Sequence, residues 1–215
     1  MSTDGSLLDQ EVVKNASMNE FSYPLDFEFK VSSFANDFTI RDSNQKTLAY
    51  VRQKMFKLKE AVSVFADDSK QELLYKISAD RWIDFNASYA FTLNDGTTLG
   101  RVGRKGAKSL LKAHYEIFDS EGEQEFHINE ENPWTKLFDA LLCEIPLVGI
   151  FSGYFFNPKY IVKRADDTIV ARLSKEKSFW GRRFKLEKIA DINKEEGERM
   201  LLSLMMMTLL ERRRG

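Results

Sequence analysis

The sequence predicts a mainly β protein: a closed antiparallel barrel of about twelve strands around a central hydrophobic C-terminal α-helix. Three observations lead there. A strand–turn–strand form recurs five times along the chain. Residues suited to strands are plentiful, with 17 Phe among them. The chain then runs into "GERMLLSLMMMTLLERRRG", in which Met200 to Leu210 is apolar but for Ser203 and Thr208.

Taken in order, residues 1–26 form a polar lead-in and "FEFKV" is a first strand. "DFTIRDSNQKTLAYVRQK" is a hairpin, and its form returns in "VSVFADDSKQELLYKIS", "YAFTLNDGTTLGRVG", "HYEIFDSEGEQEFHI" and "KYIVKRADDTIVARLS". The turn aspartates are Asp42, Asp67, Asp95, Asp119 and Asp166, the first four spaced by 25, 28 and 24 residues. Asp and Gly tolerate the positive φ that hairpin tips require, so these carboxylates are expected to be structural. Five hairpins give ten strands, and "FEFKV" with "FKLEKI" brings the count to twelve. So long a meander must hide its edges, and closure does this.

Between the fourth and fifth hairpins an apolar insert spans about 132–158. Trp134, Leu137, Phe138 and Leu141 fall at i, i+3, i+4 and i+7, which predicts a short amphipathic helix with Pro133 in its first turn. The insert is expected to plug one mouth of the barrel, with a membrane or partner contact as the other use.

The terminal segment predicts a helix without a solvent face. Its apolar run is only ~16 Å long, against ~30 Å of bilayer hydrocarbon, so it is too short for an anchor. Asn193 followed by Glu196 predicts a capping box, and Arg212 to Arg214 oppose the dipole at the far end. A twelve-stranded barrel has room for one central helix. The helix is the core, and the consecutive Met205, Met206 and Met207 belong to it, since successive helical residues cannot converge on one ion.

Composition narrows the function. The 215 residues carry a net charge of −1, which argues against a nucleic-acid binder. One cysteine, Cys143, excludes an intramolecular disulfide or a Cys-rich zinc site and suits a reducing compartment. The lead-in has no basic or apolar stretch of secretory type, so a cytoplasmic location is expected and the acceptor pattern at Asn15 is taken as chance. His114 and His127 share a hairpin but have no evident third ligand, and no catalytic signature is present, so neither metal, cofactor nor enzymatic activity is expected.

Two clusters are candidates for phosphate. The first is "GRVGRKGAKSLLK", with Arg101, Arg104, Lys105, Lys108 and Lys112 among glycines. The second is Arg182, Arg183 and Lys185, next to Phe179 and Trp180. Trp134 and Trp180 are the candidate membrane contacts, because indole favours the head-group region.

Repeats of the form "YAFTLNDGTTLGRVGRK…LLKAHYEIFDSEGEQEFHI" ending in a hydrophobic helix resemble the tubby C-terminal-like superfamily. The nearer branch is the LURP-one-related proteins, relatives of the phospholipid scramblases, and the resemblance covers 27–215. It implies a twelve-stranded barrel around a terminal helix, without catalysis. It also implies anionic phospholipid or phosphoinositide head groups as ligand, at a membrane periphery. A soluble protein-interaction module is the alternative. The scramblase calcium segment does not carry over: Asp191, Asn193 and Glu195 fit an EF-hand-like loop, but Gly197 falls at position seven and Leu202 stands where Glu is needed.

Overall fold

The structure is a computed structural model and describes residues 21–30, 36–53, 61–80, 87–104, 113–131, 158–176 and 183–212. Twelve strands form one closed barrel in which every neighbouring pair is antiparallel. They are β1 (Leu25–Phe29), β2 (Phe38–Arg41), β3 (Thr47–Gln53), β4 (Ala61–Phe65), β5 (Leu73–Asp80) and β6 (Ala87–Leu93). Then come β7 (Thr98–Arg104), β8 (His114–Asp119), β9 (Gln124–Glu130), β10 (Lys159–Arg164), β11 (Ile169–Glu176) and β12 (Arg183–Lys188). Each strand pairs with its sequence neighbours, and β1 closes the barrel on β12 with Phe27 opposite Phe184. The seam leaves no free edge.

Period-two patterning sets which side chains enter. Phe126 and Ile128 of β9 are buried while His127 and Asn129 are half-exposed, and Phe27 and Phe38 stack across β1 and β2. Helix α1 (Lys194–Arg212) fills the interior, buried continuously from Gly197 to Leu209. The two hydroxyls inside that run bond to their own helix, Ser203 to the Arg199 carbonyl and Thr208 to the Leu204 carbonyl. Each thereby satisfies its donor in a dry core. The three methionines all have no exposed surface.

The capping box forms as the sequence predicts: the Glu196 N–H donates to Asn193 Oδ1 and the Asn193 N–H to Glu196 Oε2, both at 2.9 Å. Arg164, at the end of β10, donates to both Glu196 oxygens and to the Asp191 carbonyl, tying the cap to the wall. Deeper in, Arg199 makes two parallel bonds to Glu125 at 2.6 Å. Gly100 is needed beside it. Its φ is +152°, and a Cβ there would lie 2.3 Å from the Phe118 carbonyl oxygen and 2.9 Å from Arg199 Cδ.

The turn aspartates are structural, though in a different manner from that expected. None of the five takes the positive φ, which falls on Gln45, Lys70, Gly96, Gly122 and Asp167. Each aspartate instead accepts backbone N–H bonds within its own turn: from Asn44 and Lys46, from Ser69, from Thr97, from Glu121, Gly122 and Glu123, and from Thr168. An Asp side chain mimics a backbone turn here, which is why the residue recurs at this place. At Asp67 the Ser69 side chain and then its N–H, and at Asp166 the Thr168 N–H and then its side chain, hold the carboxyl below its ordinary pKa.

Candidate functional site

β7 carries two residues of the first cluster and divides them. Val102 faces the core, so Gly100 and Arg104 share its inward side while Arg101 faces out. Arg104 is 8% exposed and lies over the Tyr115 ring at 5.8 Å. Tyr115 in turn donates to Glu211 near the end of α1 at 2.7 Å, so this arginine belongs to the polar lid of the core. Burial above all pushes the Tyr115 hydroxyl far up from its ordinary pKa, and Glu211 adds to it. Arg101 packs its guanidinium over Phe118 at 5.0 Å on the outer wall. Lys105, Lys108 and Lys112 lie outside the described residues.

Of the second cluster, Arg183 and Lys185 lie on the outer face of β12, because Leu186 faces in. Arg183 pairs with Glu28 at 3.3 Å and Lys185 with Glu176 at 3.3 Å, and Glu28 also pairs with Arg41. The Glu176 bond raises the Lys185 ammonium above its ordinary pKa. This wall is laced with both signs, and such surface pairs contribute little to stability. Arg182, Phe179, Trp180 and Trp134, with the rest of the insert and Cys143, lie outside the described residues.

β7 and β12 are separated by the four strands β8 to β11, so the two clusters stand on different walls. Yet they share a rim. Odd strands run one way and even strands the other, so the end of β7 (Arg104) and the start of β12 (Arg183) lie at the same end of the barrel. That end is where α1 finishes, with Arg212 over Phe29 at the end of β1.

The two histidines meet on the outer wall with ring centroids 6.3 Å apart. His114 bonds Asn129 at 2.6 Å and lies 3.6 Å from Glu116, while His127 lies 3.7 Å from Asp167. Among the described residues no group of three or more His, Cys, Asp or Glu has the geometry to hold a metal. The acids beside the cap are engaged: Asp191 pairs with Lys188 at 2.8 Å, and Glu196 with Arg164.

Burial first of all holds His127 below its ordinary pKa of 6.5, with His114 and Lys163 acting the same way and Asp167 and Glu116 opposing. The sign follows. The folded protein takes up this proton less readily than the unfolded chain, so the stabilisation is full above about 6.5 and is lost as pH falls through the folded value. The melting temperature should therefore drop as pH is lowered below about 6.5. His127→Gln should flatten that segment of the profile, and an unchanged slope in the variant would assign it to other groups.

At the opposite rim, Phe21, Ser22, Tyr23, Lys188, Ile192, Asn193, Lys194 and Gly197 line a cleft of about 240 Å³. Its two lysines face acids, Asp191 and Glu198, at 2.8 and 3.9 Å. Gly197 admits the Phe21 ring there, since a Cβ would stand 3.3 Å from it. Ile189, 49% exposed, is the large hydrophobic residue open to solvent among the described residues, and no described helix is long and apolar enough to cross a membrane.

Sequence reasoning missed Arg164, Glu125 and Arg199, which fix the helix in the barrel. Their partners are 32 and 74 residues away, so no local pattern could signal them.

A closed twelve-stranded antiparallel barrel threaded by an apolar helix is the architecture of a tubby-like domain. The family model described as LURP-one-related matches residues 47–206, and the chain belongs to that family. The match opens at β3, and the structure adds β1 and β2 to the same barrel. A solved structure of an Arabidopsis thaliana protein is similar at 14% identity, over 90% of this chain and 93% of that one, with a TM-score of 0.46. No curated protein matches the chain.

Proposed function

We propose that this tubby-like domain is non-catalytic and binds anionic phospholipid head groups as a peripheral, cytoplasmic protein. The supporting observation is the shared rim. Arg104 and Arg183 end their strands there, and the sequence continues from them into Lys105 and Lys108 on one side and back to Arg182 and Trp180 on the other. Two basic stretches that are remote in sequence thus attach to one end of the barrel. Cations near an anionic leaflet contribute about 1 kcal/mol each, and indole adds an interfacial contact. Arg101 does not belong to this rim, since its guanidinium reaches the β8–β9 turn at the other end, 3.2 Å from where a Gly122 Cβ would stand; Arg104 itself is held inside, and Arg183 and Lys185 are already paired.

Co-sedimentation with phosphatidylserine vesicles tests this. Lys105→Ala with Lys108→Ala should weaken binding by roughly 2 kcal/mol, about thirtyfold, with melting temperature unchanged. Adding Arg182→Ala should weaken it further. Wild-type protein that ignores the vesicles at low salt would leave a soluble protein-interaction module as the reading.

A further inference from the structure

Among the described residues Lys46, Arg52, Lys70, Lys76 and Lys159 have no carboxylate partner. Three of them, Arg52, Lys70 and Lys76, belong to the wall of β3, β4 and β5. That wall is poor in acid: β3, β4 and β6 contain no Asp or Glu, and β5 has only Asp80, at its far end. Val51, Val62, Val64, Tyr75 and Ile77 face the core, so Arg52, Ser63 and Lys76 face out. Arg52 stands opposite Ser63 and Ser63 opposite Lys76, a straight row across three strands. Both cations are exposed, and the half-buried Ser63 between them has a hydroxyl without a protein partner among the described residues. At the usual strand spacing the Cα atoms of Arg52 and Lys76 are roughly 10 Å apart. Two long side chains can close from opposite sides on a small anion above Ser63. One row along, Lys70 lies over the Tyr50 ring at 5.3 Å. The nearby acids are occupied or remote. Asp67 accepts from the Ser69 N–H, Asp68 pairs with Lys30 at 3.5 Å, and the buried Asp37 accepts the Tyr50 hydroxyl at 2.6 Å. Glu72 and Asp80 are each four residues from Lys76, roughly 13 Å along the chain.

We propose that Arg52, Ser63 and Lys76 form a binding site for a phosphate monoester group. The guanidinium can donate two parallel N–H bonds to phosphate oxygens, the ammonium adds a point charge, and the hydroxyl donates a further bond. A monoester sheds its second proton at a pKa of about 6, so at neutral pH it brings close to two negative charges to two cations. Lys70 adds a third positive charge from the next row. A diester brings only one negative charge and is held less tightly. The large hydrophobic residue open to solvent among the described residues is Ile189, on no strand of this wall. The wall thus presents donors and charge without the apolar anchor on which protein partners usually settle. It is two strands from β7 and three from β12, and does not rest on the rim residues of the lipid-binding reading.

Amide NMR titration of the full chain with glycerol 3-phosphate tests the site. Saturable shifts should centre on residues 52, 63 and 76. Arg52→Gln and Lys76→Gln should each weaken binding about tenfold and Ser63→Ala by less, with melting temperature unchanged. Lys159→Gln, which removes an unpaired cation elsewhere, should leave the affinity as it was. Dimethyl phosphate, a diester, should bind more weakly than methyl phosphate. Shifts that spread equally to Lys46 and Lys159, or an affinity unmoved by Arg52→Gln and Lys76→Gln, overturn the site. Equal affinity for the two methyl esters overturns the monoester assignment. Flotation with phosphatidic acid vesicles then tells the source of the phosphate. Co-flotation that Arg52→Gln abolishes and excess glycerol 3-phosphate competes away supports a lipid. Saturable binding of the free ester without co-flotation supports a soluble phosphorylated molecule, and absence of both overturns the proposal.

Discussion

Leu204→Asp should unfold the protein, at a cost above about 4 kcal/mol. Leu204 has no exposed surface and sits in the middle of α1, where Met206, on a nearly opposite side of the helix, is equally enclosed. A carboxylate at either place is taken from water into the apolar interior of a closed barrel, so it must ionise there or bind a proton at a cost. Met206→Asp should therefore be as damaging as Leu204→Asp. That equality is diagnostic, since an amphipathic helix lying on a surface would tolerate one of the two. Deleting everything after Arg199 removes most of the buried helix and should give insoluble protein. A truncated chain that melts cooperatively near the full-length temperature would refute the central-helix architecture. Urea melts of the point variants supply the energies, provided a folded baseline survives.

Glu125→Ala should cost roughly 3 kcal/mol or more, because it leaves the buried Arg199 without its two short bonds and with only weaker acid neighbours such as Glu195, 3.9 Å away, and Asp119. The guanidinium cannot shed its proton to escape. The double variant Glu125→Leu with Arg199→Met should recover much of that loss, since a well-packed apolar pair often matches a buried ion pair in stability. If Glu125→Ala melts within about 0.5 kcal/mol of wild type, the pair is solvated and does not lock the helix.

Much of the fold is legible in the sequence because its causes are local. Period-two strands, an aspartate at each turn and the Asn193–Glu196 spacing each need only a few consecutive residues, and the reciprocal bonds of the cap sit where the spacing places them. The omni-apolar helix, with strands enough to surround it, also fixes the core. The candidate site is less legible. Arg101 and Arg104 read as one cluster along the chain, but a strand sends residues three apart to opposite faces, and one of them joins the lid of the core. Arg183 and Lys185 read as available cations, yet closure of β1 on β12 brings Glu28 beside Arg183, a pairing across more than 150 residues. Charge availability depends on register around the barrel, and register between distant strands leaves no mark on either sequence alone.

The position of the core within the chain has a consequence for biosynthesis. The strands precede α1, so about 170 residues from Leu25 onward leave the ribosome before the side chains they will surround. At about 5–20 residues per second this takes roughly ten seconds or longer. From its own synthesis until α1 emerges, each of Phe27, Phe38, Phe91 and Phe126 lacks the helix it will pack against, and β1 waits for a partner, β12, made almost at the end. Closure and core formation must then occur together, through contacts between the two ends of the domain, which makes folding slow for its size. A nascent sheet with a bare apolar face is a natural client for a holding chaperone. This domain's yield in a cell should therefore depend less on its final stability than on protection during those seconds.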